Sequence, residues 1–180
     1  MTGRARVFIA SSLDGFIAGE DHDLSWLPEG TEEEPLEDHG YSAFMASVGA
    51  LLMGRSTYDV VRGFDVDWPY GETPVLVATR RALDEDPPGT VQALSGSIEV
   101  LVAQALETAG GKDVYLDGGE IVRQALDAGL VDELIVTMIP VVLGKGHPLF
   151  AGVARRRHFE VADCQSFSHG LVQLRLVPKD

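Results

Sequence analysis

The sequence predicts a single α/β domain of three layers: a mainly parallel, twisted sheet with helices on both faces and an antiparallel hairpin at the C-terminus. Three observations predict it. Short apolar runs alternate with stretches of helical periodicity through the middle of the chain, the pattern of strand–helix–strand crossovers. Glycines stand where one pattern gives way to the next. The C-terminal stretch carries two strand-like runs with no helix between them, which adds antiparallel strands at one edge of the sheet. The 180 residues suffice for one domain with a sizeable core, and no repeat or low-complexity linker divides them.

In order, Arg6–Ala10 reads as a buried strand, and Gly15–Ala18 continues as a second extended segment. Pro28 to Glu37 is rich in Glu, Pro and Gly and reads as a mobile acidic loop. Leu36–Val48 reads as a helix with Phe44, Met45 and Val48 as its stripe. Ala50–Met53 is a short strand ending at Gly54, and Ser56–Val61 a helix opening just after it. Pro74–Thr79 is another apolar strand. Ile98, Leu101, Val102, Ala105 and Leu106 follow helical spacing; Ser95 or Ser97 caps that helix and Gly110-Gly111 stops it. Asp113–Leu116 is a strand, Glu120–Ala128 a helix ended by Gly129, and Glu133–Leu143 a long apolar strand. Phe159–Gln165 and Gly170–Val177 form the closing pair.

Composition excludes several classes. Acidic residues outnumber basic ones by 28 to 14, giving a net charge of −14. Such a chain repels nucleic acid and anionic membranes, so an anionic ligand needs a local basic site. No apolar run is long enough to span a bilayer, and the N-terminus lacks a signal-peptide pattern; a cytoplasmic location is expected. Cys164 is the only cysteine, which excludes an internal disulfide and a cysteine-based zinc cluster. It is expected to be structural, a small buried hydrophobe. The five histidines show no metal-ligand spacing, and His22, Asp23 and His39 offer only a loose set; no metal is expected. Arg155-Arg156-Arg157 reads as a surface turn.

Five motifs carry possible chemistry. At Met53-Gly54-Arg55-Ser56-Thr57-Tyr58 a strand ends in glycine and a helix begins at once. The free N–H groups of that first turn, two hydroxyls and Arg55 suit a phosphate; a plain glycine turn with an N-cap is the other reading. Thr79-Arg80-Arg81 follows a strand, and arginine there suits a ribose 2′-phosphate, or forms a solvated basic turn. In Leu116-Asp117-Gly118-Gly119-Glu120 the glycines let backbone approach a pyrophosphate, or make a tight turn. In Ser11-Ser12-Leu13-Asp14-Gly15-Phe16-Ile17-Ala18 the aspartate either faces a substrate or caps its own turn. Pro140 to Phe150, with Gly144-Lys145-Gly146-His147, lacks phosphate-loop spacing and reads as an irregular connection. In a parallel sheet the first three motifs fall on one edge, at the carboxyl ends of strands, where such sheets bind ligands. Trp26, in a polar stretch, reads as a substrate wall.

The order and spacing of Ser12–Ala18, Gly54–Tyr58, Asp117-Gly118-Gly119 and Pro140–Phe150 resemble the dihydrofolate-reductase-like superfamily, specifically the reductase (deaminase–reductase C-terminal) domain of riboflavin biosynthesis and its stand-alone relatives. The resemblance covers nearly the whole chain. It implies a dihydrofolate-reductase-like fold and NADPH as cofactor. A homodimer is expected because the apolar strand Leu134–Leu143 and the C-terminal hairpin offer a sheet edge and apolar area to be covered, and the resemblance points the same way. It implies that Gly54, Arg55, Ser56 and Thr57 form the cofactor phosphate turn and that Thr79 and Arg80 hold the 2′-phosphate. Asp117, Gly118, Gly119 and Glu120 would lie under the pyrophosphate and nicotinamide, and Ala10 and Ile17 would hold the carboxamide. Asp14 matches an aspartate near the reacting carbon, Asp38 is the nearest match to the helix acid of dihydrofolate reductase with Glu37 competing, and Trp26 and Thr137 resemble substrate-side positions. Val122 departs from an aromatic of dihydrofolate reductase, and a cysteine-dependent zinc deaminase domain is expected to be missing.

The implied activity is hydride transfer from NADPH to a C=N or C=O carbon of a pyrimidine- or pterin-type small molecule, similar to 5-amino-6-(5-phosphoribosylamino)uracil reductase, with Asp14 or Asp38 handling a proton. The alternatives are a dihydrofolate or pterin reductase and a nucleotide-binding module without turnover.

Overall fold

The computed structural model describes residues 3–30, 35–83 and 86–179. Eight strands form one sheet. From one edge they run β5 (Val91–Leu94), β4 (Val75–Ala78), β3 (Val48–Gly54), β6 (Asp113–Asp117), β1 (Ala5–Ser12), β7 (Glu133–Ile139), β10 (Val172–Pro178) and β9 (Phe159–Ser166). The first six are mutually parallel, and β10 and β9 run antiparallel, as expected. Two short strands, β2 (Phe16–Ala18) and β8 (His147–Pro148), pair separately.

Strand alternation sorts the core onto two faces. Ala50 and Leu52 of β3, Leu76 of β4, Val114 and Leu116 of β6 and Val7 of β1 point to one face. There they meet α3 (Ile98–Thr108) and α4 (Gly119–Ala128). Leu51 and Met53, Val75 and Val77, and Tyr115 point to the other, against α1 (Tyr41–Ser47) and α2 (Arg55–Arg62). Burying each large aliphatic side chain contributes about 1.5–3 kcal/mol. At the amino ends of β1 and β7 the buried Glu133 carboxylate accepts from Arg6 Nε at 2.6 Å, also pairs with Arg6 Nη2, and accepts from Arg175 at 3.4 Å. Charge is therefore sequestered at the end of the sheet opposite the carboxyl termini of the parallel strands.

Several boundaries differ from expectation. The helix predicted over Leu36–Val48 begins only at Tyr41, because His39 and Gly40 hold positive φ (53° and 83°) and Asp38 caps the turn from outside. The strand predicted to Leu143 stops at Ile139; Pro140 has no N–H for the ladder, and the Val141 carbonyl bonds the Leu13 N–H instead. That strand lies between β1 and β10, so it offers no free edge. Strand β5 was not foreseen: only Val91 of its four residues is buried. Cys164 is exposed on the outermost strand β9, contrary to the expected burial. Ser97 holds the N-cap position of α3 without a side-chain cap bond. Arg157 of the exposed arginine run donates to the Leu126 and Asp127 carbonyls at the end of α4. The acidic stretch from Pro28 falls partly outside the described residues. No helix among those described is long and apolar enough to cross a membrane.

Candidate active site

Register aligns the carboxyl ends of the parallel strands. Leu94 pairs with Ala78, Ala78 with Gly54, and Met53, one residue before Gly54, with Asp117. A cleft of about 910 Å³ opens along this line and extends past Ala10 of β1 and Ile17 of β2, within the size range of small-molecule sites. Two helices begin at its floor: α2 directly after Gly54, and α4 at Gly119. Neither carries a side-chain cap hydrogen bond, so first-turn N–H groups with their partial positive charge face the cleft.

The glycine pair has a packing cause. Gly118 has φ 86° and ψ 143°, and a Cβ there would collide with the Thr57 hydroxyl. A Cβ on Gly119 would press on the Pro148 carbonyl of β8, on Arg123 and on Ile17. The glycines thus let the first turns of α2 and α4 converge on one spot, where their dipoles act together on an anion. Ser56 and Thr57 line the same place. Arg55 lines it too, while its guanidinium donates to Asp59 and to the Ala82 carbonyl, both at 2.7 Å. It thereby ties α2 to the segment after β4. There Thr79 accepts from the Arg81 N–H at 3.0 Å, and Arg80 and Arg81 stand exposed at the cleft rim. Glu120 lies at the rim with its carboxylate held by Arg123 and Gln124.

The cleft thus gathers Ala10, Ile17, Gly54, Arg55, Ser56, Thr57, Thr79, Arg80, Asp117, Gly118, Gly119 and Glu120. Four candidates lie off it. Asp14 is exposed, and its carboxylate accepts from the Ser12 hydroxyl at 2.7 Å and from the Leu143 and Gly144 N–H groups at 3.1 and 2.7 Å. It pins the connection after β7, and these donors hold it below the usual carboxylate range. Asp38 is exposed and caps α1 through Ser42. Trp26 donates its indole N–H to the Asp23 carbonyl, and Leu24 and Leu27 line that side of the cleft. Thr137 is buried in β7 and accepts from Gln173, which also donates to the His39 carbonyl.

Two carboxylates line the cleft, Glu120 at its rim and Asp117 at the end of β6, and Asp117 is the buried one. Burial pushes it up to about 6, against the lowering action of the Gly118 N–H and the Tyr70 hydroxyl. Three phenols feel its charge. Burial together with the Asp117 charge pushes Tyr41 up to about 12, and pushes Tyr70 and Tyr115 higher still. Tyr115 donates its O–H to the Phe8 carbonyl at 2.8 Å.

Motif reading missed Tyr70, Tyr115, Arg123 and the stacked His22–His147 pair (4.1 Å, 7°), all of which line the cleft. Only Arg123 had a signal, as the lone cation in the helix opened by the glycine turn. Ser95 and Gly96, also on the cleft, became legible only with β5. Among the described residues no group of three or more metal-ligating side chains occurs.

The sequence model of the RibD C-terminal domain matches residues 5–173. The chain belongs to the RibD C-terminal domain family. It is 33% identical over 178 residues to the uncharacterized protein YwjB of Bacillus subtilis, covering 98% of this chain and 99% of that one. It is 29% identical to YyaP of the same organism, covering 92% and 90%. Among solved structures, a Shewanella sp. PV-4 protein named for riboflavin biosynthesis superposes with a TM-score of 0.86 at 34% identity, over 98% of this chain and 99% of that one. The deaminase/5-amino-6-(5-phosphoribosylamino)uracil reductase of Thermotoga maritima superposes with a TM-score of 0.71 at 21% identity. The RibD C-terminal domain here spans 57% of that bifunctional chain, a likeness of fold alone.

Proposed function

We propose that this RibD C-terminal domain is an NADPH-dependent reductase acting on a pyrimidine- or pterin-type small molecule, after the manner of 5-amino-6-(5-phosphoribosylamino)uracil reductase. The observation that carries the reading is the cleft itself: two helix N-termini and a rim arginine pair on one strand-end line, in a chain of net charge −14. The residues present fit a phosphorylated dinucleotide. The first turns of α2 and α4, with Thr57 between them and Arg123 beside them, would hold the pyrophosphate. Arg80, with Thr79, would hold the 2′-phosphate. Ala10 and Ile17 would place the nicotinamide end near Asp117.

When bound, the cofactor supplies the hydride; the chain supplies orientation and a proton. Phe8, Phe64, Tyr70 and Tyr115 give the cleft aromatic walls for a planar heterocycle. Asp117 is the group placed to protonate the substrate atom that gains negative charge as hydride arrives. A carboxyl that titrates near 6 is partly protonated in neutral solution, which suits a general acid. Asp14 and Asp38 are each engaged in a turn or cap, which favours Asp117 for this role.

The test is cofactor oxidation across a panel of aminopyrimidines and pterins, followed at the nicotinamide absorbance, with Asp117→Asn and Asp14→Asn alongside. Turnover that Asp117→Asn removes and Asp14→Asn retains is the expected result. NADPH binding with no oxidation by any member would make the chain a nucleotide-binding module instead, and preference for a pterin would make it a pterin reductase.

A further inference from the structure

We propose that this cleft takes a planar heterocycle without a phosphate group, and that carboxylates on the wall segment around Leu24 turn phosphorylated rings away. The proposal deepens the reductase reading by naming its substrate class, and it rests on the cofactor taking the arginine end of the cleft.

All 14 lysines and arginines of the chain lie among the described residues. Those that line the cleft are Arg55, Arg80, Arg81 and Arg123. Each stands where a cofactor phosphate is expected: Arg80 and Arg81 after β4, Arg55 in the first turn of α2, and Arg123 in α4. Arg123 follows β6, the strand next to β1, and is the arginine closest in sheet order to the other end. It is already held there, donating to the Pro148 carbonyl and to Glu120 at 2.9 Å.

Elsewhere the lining changes character. Phe8, Tyr70, Tyr115, Leu24 and Leu27 supply aromatic and aliphatic surface, which suits the faces of a flat ring. Leu24 and Leu27 belong to a segment that also carries Glu20, Asp21 and Asp23, all exposed. Lys145 pairs with Glu20 at 3.8 Å; among the described residues no lysine or arginine pairs with Asp21 or Asp23. His22 and His147 stack face to face at 4.1 Å and also line the cleft. Burial, His22 and Arg123 hold His147 below the usual histidine range, with Asp21 opposing, so it offers no full charge in neutral solution. Helix α1 packs Tyr41 against Phe8 at 5.4 Å, and Asp38 accepts its Ser42 N–H at 3.1 Å. The start of that helix thus presents a carboxylate and not open N–H groups.

A phosphate monoester carries close to two negative charges at neutral pH. Bringing it beside Asp21 and Asp23, in a chain of net charge −14 and with no free cation to receive it, is opposed by desolvation and by repulsion together. A neutral ring meets neither.

Two matched pairs of probes test this: 5-amino-6-(ribosylamino)uracil with its 5′-phosphate, and dihydroneopterin with its monophosphate. Binding of each to the NADP+-loaded protein is measured by equilibrium dialysis in mildly alkaline buffer, at low salt and at about 1 M salt, where screening acts beyond about 3 Å. For the ring that binds, the free form should bind about tenfold more tightly than its phosphate at low salt, and the gap should shrink at high salt. The double variant Asp21→Asn, Asp23→Asn should narrow the gap about threefold with NADP+ affinity kept; asparagine tolerates the positive φ of 53° at position 21. A phosphate that binds as tightly as its free partner, a gap indifferent to salt or to the double variant, or binding of no probe at all overturns the proposal. Dialysis needs no hydride transfer, so it reports on charge selection even if the chain turns nothing over; the reductase reading is decided separately, by NADPH oxidation with the free rings.

Discussion

Asp117→Asn should stabilise the folded protein in neutral and alkaline solution, and the gain should vanish in acid. The carboxyl is pushed from an ordinary 3.8 up to about 6, chiefly by burial. A raised value means that the folded state binds the proton more tightly than the unfolded chain does. Stability from this group is therefore fully present below about pH 4 and is lost as pH rises through about 6. At 1.36 kcal/mol per unit, the gap between the two values corresponds to about 3 kcal/mol. Asparagine keeps an acceptor for the Gly118 N–H and cannot ionise, so it escapes that loss. For a chain of this length 1 kcal/mol moves Tm by about 2–4 °C, so the variant should melt about 6–12 °C above the wild type at pH 8. At pH 4 the two should melt together. The assay is a series of thermal melts of both proteins from pH 4 to pH 8. Removing a positioned acid costs about a hundred- to ten-thousand-fold in rate, so the same variant should gain stability and lose turnover. A Tm difference that does not change with pH would refute the argument, since it would mean that the carboxylate is as well solvated folded as unfolded.

Three further outcomes follow from the same structure. Arg80→Ala should narrow the preference for NADPH over NADH by about ten- to a hundred-fold, the value of a charge-assisted phosphate contact; titration of both cofactors against both proteins checks it, and an unchanged ratio removes Arg80 from the site. Glu133→Ala leaves Arg6, part-buried against Phe44, with Asp113 as its remaining carboxylate, and should cost about 1–3 kcal/mol in denaturant unfolding without altering cofactor affinity. The chain should be a homodimer through β9, the outermost strand, where Val161 is 59% exposed and the ladder has an open side; light scattering that gives one chain's mass at micromolar concentration would end that idea.

The fold was legible where periodicity was strong. The helix over Ile98–Thr108 and the strands at Ala50, Asp113 and Glu133 lie close to where their patterns put them, because each has a wholly buried face and only one period satisfies it. Strand β5 was invisible because it is a short edge strand with two of its four residues exposed, so nothing in Val91–Leu94 demands alternation. The start of α1 was misplaced for a different reason. Leu36 fits the apolar stripe, but backbone geometry at His39 and Gly40 outranks it. Local conformational restriction at one or two residues decides a helix end, and a hydropathy pattern does not carry it.

The same distinction explains which parts of the site could be read. Phosphate-type positions are backbone positions: a glycine at a strand end followed by a helix says almost everything about Gly54 and Gly118-Gly119, because the N–H groups that bind are fixed by the turn itself. An acid is different. Its role depends on what surrounds it, and that is a property of tertiary packing. Asp14, Asp38 and Asp117 all stand at breaks between regular segments, and in sequence they look alike. In the fold, Asp14 finds two backbone N–H groups and Asp38 finds Ser42; both are satisfied and exposed. Asp117 finds one N–H and burial, within electrostatic reach of the phenols of residues 41, 70 and 115. No spacing rule joins those three positions, since they come from a helix, a connection and a strand. What singles out Asp117 is the cost of ionising it, a quantity that exists only once the chain is folded. That cost is also what the pH dependence of the Asp117→Asn melt measures, so the assignment of the acid and the stability of the fold can be tested on one sample.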